Sequence, residues 1–150
     1  MALPGGADES GAAVDAFVKL LRAATSVSSR VHAHLAEEGL TDSQFGVLEA
    51  ISHRGPLYQR ELAHKILKTG GNITMVVDNL ERRGLVRRER DAADRRLVSV
   101  AVTPQGAELM ARVLPRQLEA IRRELAPLSV EEQAQLGALC RKIGLKPSGR

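Results

Sequence analysis

The sequence predicts a mainly α-helical fold carrying one small β-hairpin, and three observations predict it. Apolar residues recur at spacings of three and four along most of the 150-residue chain, as they do in helices with one buried face. One stretch breaks that rhythm, where Val98, Val100 and Val102 alternate with other residues as a strand requires. Between the periodic stretches stand capping residues, glycines and prolines that start or stop helices.

The first helix is expected from about Ala12 to Glu38, carrying Val14, Phe17, Val18, Leu21, Ala24, Val27, Val31 and Leu35 on one face, and Gly39 ends it. Thr41-Asp-Ser-Gln44 then reads as a capping box, with Leu40 and Phe45 placed as a hydrophobic staple, and opens a second helix that runs to about His53. Gly55-Pro56 breaks the chain. A short helix follows from about Gln59 to Leu67, with Leu62, Ala63 and Ile66 on one face. Thr69-Gly70-Gly71-Asn72 is a turn of small residues, after which Ile73, Val76, Val77 and Leu80 keep helical spacing up to Arg83. Two short helices joined in this way form a helix-turn-helix pattern.

Gly84 suits the left-handed position past a helix end and puts Leu80 and Leu85 where a Schellman motif wants its apolar contact. Leu85–Arg90 and Leu97–Thr103 are expected as two strands joined by a turn around Asp91-Ala-Ala-Asp94, which makes a hairpin wing. Thr103-Pro104 supplies an N-cap and a first helical residue for a helix carrying Leu109, Val113, Leu118, Ile121 and Leu125, with Pro115 as a point of bending. Ser129-Val-Glu-Glu132 opens the last helix, which carries Leu136, Leu139 and Ile143.

Composition narrows the function. Hydrophobic residues at 43% and charged residues at 27% suit a soluble globular protein, and the length suits one domain over residues 1–150. No apolar run approaches the roughly 20 residues that span a bilayer, so no membrane partner is expected. Met1-Ala-Leu-Pro-Gly-Gly-Ala-Asp-Glu-Ser10 lacks the basic and apolar regions of a secretory signal, so the expected location is cytoplasmic. Cys140 is the single cysteine and reads as a packing residue, although Arg141 and Lys142 beside it hint at a lowered thiol pKa. His32, His34, His53 and His64 lie apart and lack a clustered partner, so no metal or other cofactor is expected. No nucleotide loop or nucleophile elbow appears, and no enzyme is expected.

Charge is concentrated. From Arg82 to Arg96, seven arginines stand against Glu89, Asp91 and Asp94, which accounts for the whole net charge of +4. Aromatic residues make up only 2% of the chain, so the stacking platforms of single-strand and RNA binders are missing and duplex DNA is the better partner. A helix that enters the major groove needs a small, polar leading end, which Thr69, Gly70, Gly71, Asn72, Thr74, Met75 and Asp78 largely provide, with Asn72 the first choice for a base contact. In the wing, Arg95 or Arg96 is the candidate for the minor groove, Arg88 and Arg90 lie toward phosphates, and Asp94 is placed to orient an arginine. A basic hairpin alone equally suits a non-specific architectural or RNA-binding protein, or a module that meets an acidic protein partner. Both alternatives stay open at this point.

The motifs Gln59-Arg60-Glu-Leu-Ala63, Thr69-Gly-Gly-Asn-Ile-Thr74, Asp78-Asn-Leu-Glu-Arg-Arg-Gly-Leu-Val86, Asp94-Arg-Arg96 and Val102-Thr-Pro-Gln-Gly106 together resemble the MarR family of winged-helix transcriptional regulators. The resemblance covers nearly the whole chain. It implies a winged helix-turn-helix over about 41–103, and a helical dimerisation region made of about 12–40 and 104–146. It also implies a homodimer on a pseudo-palindromic site, with Gln59, Arg60, Asn72 and Thr74 at the DNA and the Asp94–Arg96 wing in the minor groove. Members typically hold small aromatic or phenolic effectors, for which Phe17, Val31, Phe45, Leu48 and Val113 are the matching candidates here. Tyr58 departs from the family, standing where many relatives carry a Thr or Ser cap, and the N-terminal cysteine of peroxide-sensing members is absent.

Overall fold

The computed structural model describes residues 7–66 and 72–144. In chain order the elements are α1 (Ala7–His32), a 3-10 helix (Ala33–Glu38), α2 (Asp42–Arg54), β1 (Leu57–Tyr58) and α3 (Gln59–Ile66). They are followed by α4 (Ile73–Arg82), β2 (Val86–Arg90), β3 (Val98–Val102), α5 (Pro104–Leu125) and α6 (Val130–Gly144). The chain packs as two compact units, one within Met1–Val31 and Leu118–Arg150, the other His32–Gln117. None of the described helices is long and apolar enough to cross a membrane.

His32–Gln117 carries the closed core. Leu35, Phe45, Leu48, Ile51, Leu62, Val77, Leu80, Val100, Met110 and Val113 are all buried in one cluster. The sheet that backs it is antiparallel, in the order β1-β3-β2, with Val86 opposite Val102 and Arg90 opposite Val98. β1 was not expected from the sequence. Its two residues are too few to show alternation, and what defines them is pairing with β3, Leu57 opposite Val100 and Tyr58 opposite Ser99.

The helix ends follow the capping residues. Thr41 Oγ1 accepts from the Gln44 amide while Gln44 Oε1 accepts from the Thr41 amide, so the capping box is complete. Ser129 and Glu132 repeat the arrangement at α6. At Thr103 the hydroxyl accepts from the Gly106 amide and donates to the Gly84 carbonyl at 2.6 Å, which ties the start of α5 to the end of α4. Pro115 lies inside α5, which continues to Leu125.

The expected first helix ends differently. Its last six residues wind as a 3-10 helix, because the chain closes on Gly39 with Leu40 N–H on the Leu35 carbonyl and Gly39 N–H on the Ala36 carbonyl. Both leucines are buried, and Arg83 donates to the last two carbonyls, those of Glu38 and Gly39. Tighter winding satisfies groups that an open α-helical end would leave to water.

The other unit lacks such a core. α6 has no buried residue, and Val14, Phe17, Leu21, Leu118, Ile121, Leu136, Leu139 and Ile143 are all exposed. Cys140 shares that exposure, which corrects its reading as a buried packing residue. The helical spacing of α6 was legible, but among the described residues nothing covers its apolar face. An ion pair between exposed Arg30 and half-buried Glu124, at 2.7 Å, joins α1 to α5 in this unit.

Candidate nucleic-acid interface

The site is built on α4. Asn72 is its N-cap, with Oδ1 accepting from the Thr74 and Met75 amides at 3.0 and 3.3 Å. The expected base-reading residue thus spends its carbonyl oxygen on starting the helix, while the residue as a whole stays exposed. At the far end Gly84, with φ of 75°, takes the left-handed position, and Leu85 N–H reaches the Leu80 carbonyl. The Schellman closure expected from Leu80 and Leu85 is therefore present. Gly106 lies against the same turn, and a Cβ there would land on the Leu85 carbonyl oxygen. Thr69, Gly70 and Gly71, also expected at the interface, lie outside the described residues.

With Ile73, Val76, Val77 and Leu80 turned inward or half-inward, the remaining face of α4 divides in two. One flank is held by Arg88 of β2. Its guanidinium meets Asp78 at 2.7 Å and Glu81 at 3.2 Å, and it also donates to Gln59 Oε1 and the Thr74 carbonyl. Glu81 additionally accepts the Arg88 amide at 2.8 Å, and Gln59 donates to the Thr74 hydroxyl at 3.5 Å. Four residues expected to face DNA (Gln59, Thr74, Asp78 and Arg88) are thus bonded to one another. Arg88 is only 23% exposed, which suits a group that fixes the angle between helix and wing better than a free phosphate contact. The other flank is open, with Asn72, Met75, Asn79 and Arg82 all exposed. Asn79 and Arg82 were not picked out from the sequence. The signal was there in their spacing, four and seven residues beyond Met75, which puts all three on one side of a helix.

The wing is ordered from within. Asp91 Oδ1 accepts from the Ala93 and Asp94 amides at 2.8 and 3.0 Å, and the Asp91 amide closes the turn on the Leu97 carbonyl. The Asp94 amide above all, then that of Ala93, with the Tyr58 hydroxyl at 3.4 Å, hold the Asp91 carboxyl below its ordinary pKa. Asp94 takes Arg96 in a two-pronged pair, Nε on Oδ1 and Nη2 on Oδ2, each at 3.0 Å. That bond lowers the Asp94 pKa and raises the Arg96 pKa. Arg96 still keeps 90% of its side chain in solvent.

The arginine run is less free than its count suggests. Arg83 is spent on the Glu38 and Gly39 carbonyls, Arg88 on α4, Arg87 pairs with Glu89 at 3.2 Å, and Arg90 donates to the Arg95 carbonyl. Among the described residues, Arg82 and Arg95 have no partner of their own. Between α3, the start of α4 and the wing lies a cleft of about 280 Å³, with Gln59, Arg60 and Arg96 at its polar edge and Ile73 and Leu97 among its apolar walls. Arg60 sits 5.7 Å over the Tyr58 ring, and the Tyr58 amide donates to Glu61, which is the half of a capping box that needs no Thr or Ser at position 58.

The effector candidates fall in different places. Phe45, Leu48 and Val113 belong to the buried core of His32–Gln117. Val31 is buried and Phe17 is 61% exposed, both in the other unit. Near Phe45, the His32 ring lies 6.1 Å away and tilted, and His34 Nε2 meets the buried Gln117 at 2.7 Å.

Comparison with known proteins agrees with this geometry. The MarR family profile matches residues 38–97. The transcriptional regulator YkoM of Bacillus subtilis is 35% identical over 133 residues, covering 89% of this chain and 86% of the relative. MhqR of the same organism, also a helix-turn-helix regulator, is 32% identical over 129 residues, covering 86% and 89%. Among solved structures, the MarR family regulator Sco3205 of Streptomyces coelicolor, in complex with DNA, superposes with a TM-score of 0.77 at 27% identity, covering 89% of this chain and 90% of that one. With a helix-turn-helix, a wing and these relatives, the chain belongs to the MarR family of DNA-binding transcriptional regulators.

Proposed function

We propose that this regulator is a cytoplasmic homodimeric repressor that binds a pseudo-palindromic operator sequence-specifically and lets go when a small aromatic or phenolic acid binds. The observation that carries the proposal is the uneven exposure of apolar side chains. They are uncovered along α1, the end of α5 and all of α6, yet packed away around the helix-turn-helix. A 15-residue helix that buries nothing gains no tertiary support, and such helices are marginal in water. A second copy supplies the cover and sets two recognition helices on half-sites about 10 bp apart.

In this reading Asn72 and Met75 approach base edges. Arg60, Arg90, Arg95 and Arg96 meet the backbone and minor groove, and Gln59, Thr74, Asp78 and Arg88 hold the helix in place. The effector reading draws support from relatives. PcaV of Streptomyces coelicolor is known with its natural ligand at 28% identity and a TM-score of 0.72. The DNA binding of BpsR of Bordetella bronchiseptica is regulated by 6-hydroxynicotinic acid, at 25% identity and 0.74.

A reporter fused to the chain's own upstream region tests the sign and the switch. Deleting the regulator should raise output, and so should feeding hydroxylated aromatic acids to the intact strain. Lower output on deletion would make it an activator, and indifference to every such acid would remove the effector.

A further inference from the structure

Among the described residues of His32–Gln117, Met75 is the one large apolar side chain left exposed, at 69%. The other exposed large apolar residues all belong to the helical unit. A lone exposed methionine is ordinary on a protein surface, but its place on α4 is not arbitrary. At about 100° per residue, Met75 stands opposite the middle of the inward face formed by Ile73, Val77 and Leu80. Asp78 and Glu81, on the flank toward the wing, are bound to Arg88. The first turn of the helix therefore presents Met75 between the exposed Asn72 and Asn79, with Arg82 farther along.

Base edges in the major groove offer hydrogen-bond donors and acceptors and one apolar group, the 5-methyl of thymine. An unbranched thioether at the pole of the reading face has no hydrogen bond to give those polar edges, whereas it fits a methyl and adapts to its position. We propose that Met75 is a specificity-determining residue that packs on a thymine 5-methyl group in each half-site. The inference rests on α4 being the base-reading helix.

Uracil in place of thymine removes that methyl and nothing else. After a duplex has been selected from a random pool, each thymine of the site is replaced in turn by uracil, and binding is measured for the wild type and for Met75→Ala. At one thymine per half-site, loss of the methyl should weaken the wild type about fourfold, the expected cost of returning one methyl-sized group to water. The same replacement should leave Met75→Ala unchanged. Equal losses in both proteins, or no loss anywhere in the wild type, overturn the assignment to Met75. If the pool yields no preferred sequence at all, the base-reading role of α4 fails along with it. Met75→Leu, apolar but branched, should retain most of the methyl discrimination, and its loss there together with normal folding would also count against the contact.

Discussion

At the scale of single residues, Asp94 shows how a carboxylate can serve a surface that meets a polyanion. Taken as a bare charge it should repel phosphate, yet both its oxygens are bonded to Arg96. If orientation outweighs repulsion, Asp94→Ala weakens operator binding by about three- to tenfold, the net value of one ordinary hydrogen bond. Fluorescence anisotropy at fixed salt measures this, and tighter binding by the variant would refute the orienting role. Asp91 makes a separate prediction from its lowered pKa. A depressed carboxyl supports the folded turn fully above its ordinary pKa and loses that support as pH falls through the depressed one. Amide protection at Ala93 and Asp94 should therefore fade only on the acid side of the ordinary carboxylate range, and should fade at neutral pH in Asp91→Ala. The pairing of Asp94 with an arginine was legible from sequence because the partners are neighbours. The capping duty of Asn72 was missed because one side chain can either begin a helix or read a base, and spacing does not distinguish the two.

At the scale of elements, the recognition helix is held at both ends and along one flank. Thr103, Gly84 and Gly106 lock its end to α5, and Arg88 locks its side to the wing. Arg88→Ala should cost about 1–2 kcal/mol in denaturant unfolding, since it leaves two carboxylates without their cation. If Arg88 positions the helix, the variant loses sequence preference while the salt slope of binding stays the same. A phosphate contact would instead lower that slope by about one per protomer. Gly106→Ala forces a methyl onto the Leu85 carbonyl, and overpacking of this kind costs about 1–3 kcal/mol, read as a lower melting temperature. The helices, both capping boxes and the hairpin could be read from the sequence because each rests on neighbours within a few residues. β1 and the 3-10 ending of the first helix could not. One is created by pairing with Val100 and Ser99, and the other closes on Gly39 with its last carbonyls taken by Arg83, 44 residues away.

At the scale of the whole molecule, the exposed apolar faces of α1, α5 and α6 are the feature on which the proposed dimer rests. Leu139, 62% exposed on α6, is a position where a charge harms only an interface. Leu139→Glu should shift sedimentation from dimer toward monomer and reduce operator affinity at least tenfold, because two linked half-sites bind far better than one. A dimer that persists with unchanged affinity would place the interface elsewhere. The central claim, a dimeric reader of one DNA sequence, is tested most directly by titrating the protein against its selected operator and a scrambled duplex of equal length at several salt concentrations. The account predicts two protomers per operator and a preference over scrambled DNA of about a thousandfold or more, in the range of specific regulators, with both affinities falling as salt rises. Equal affinity for the two duplexes at every salt concentration would contradict it.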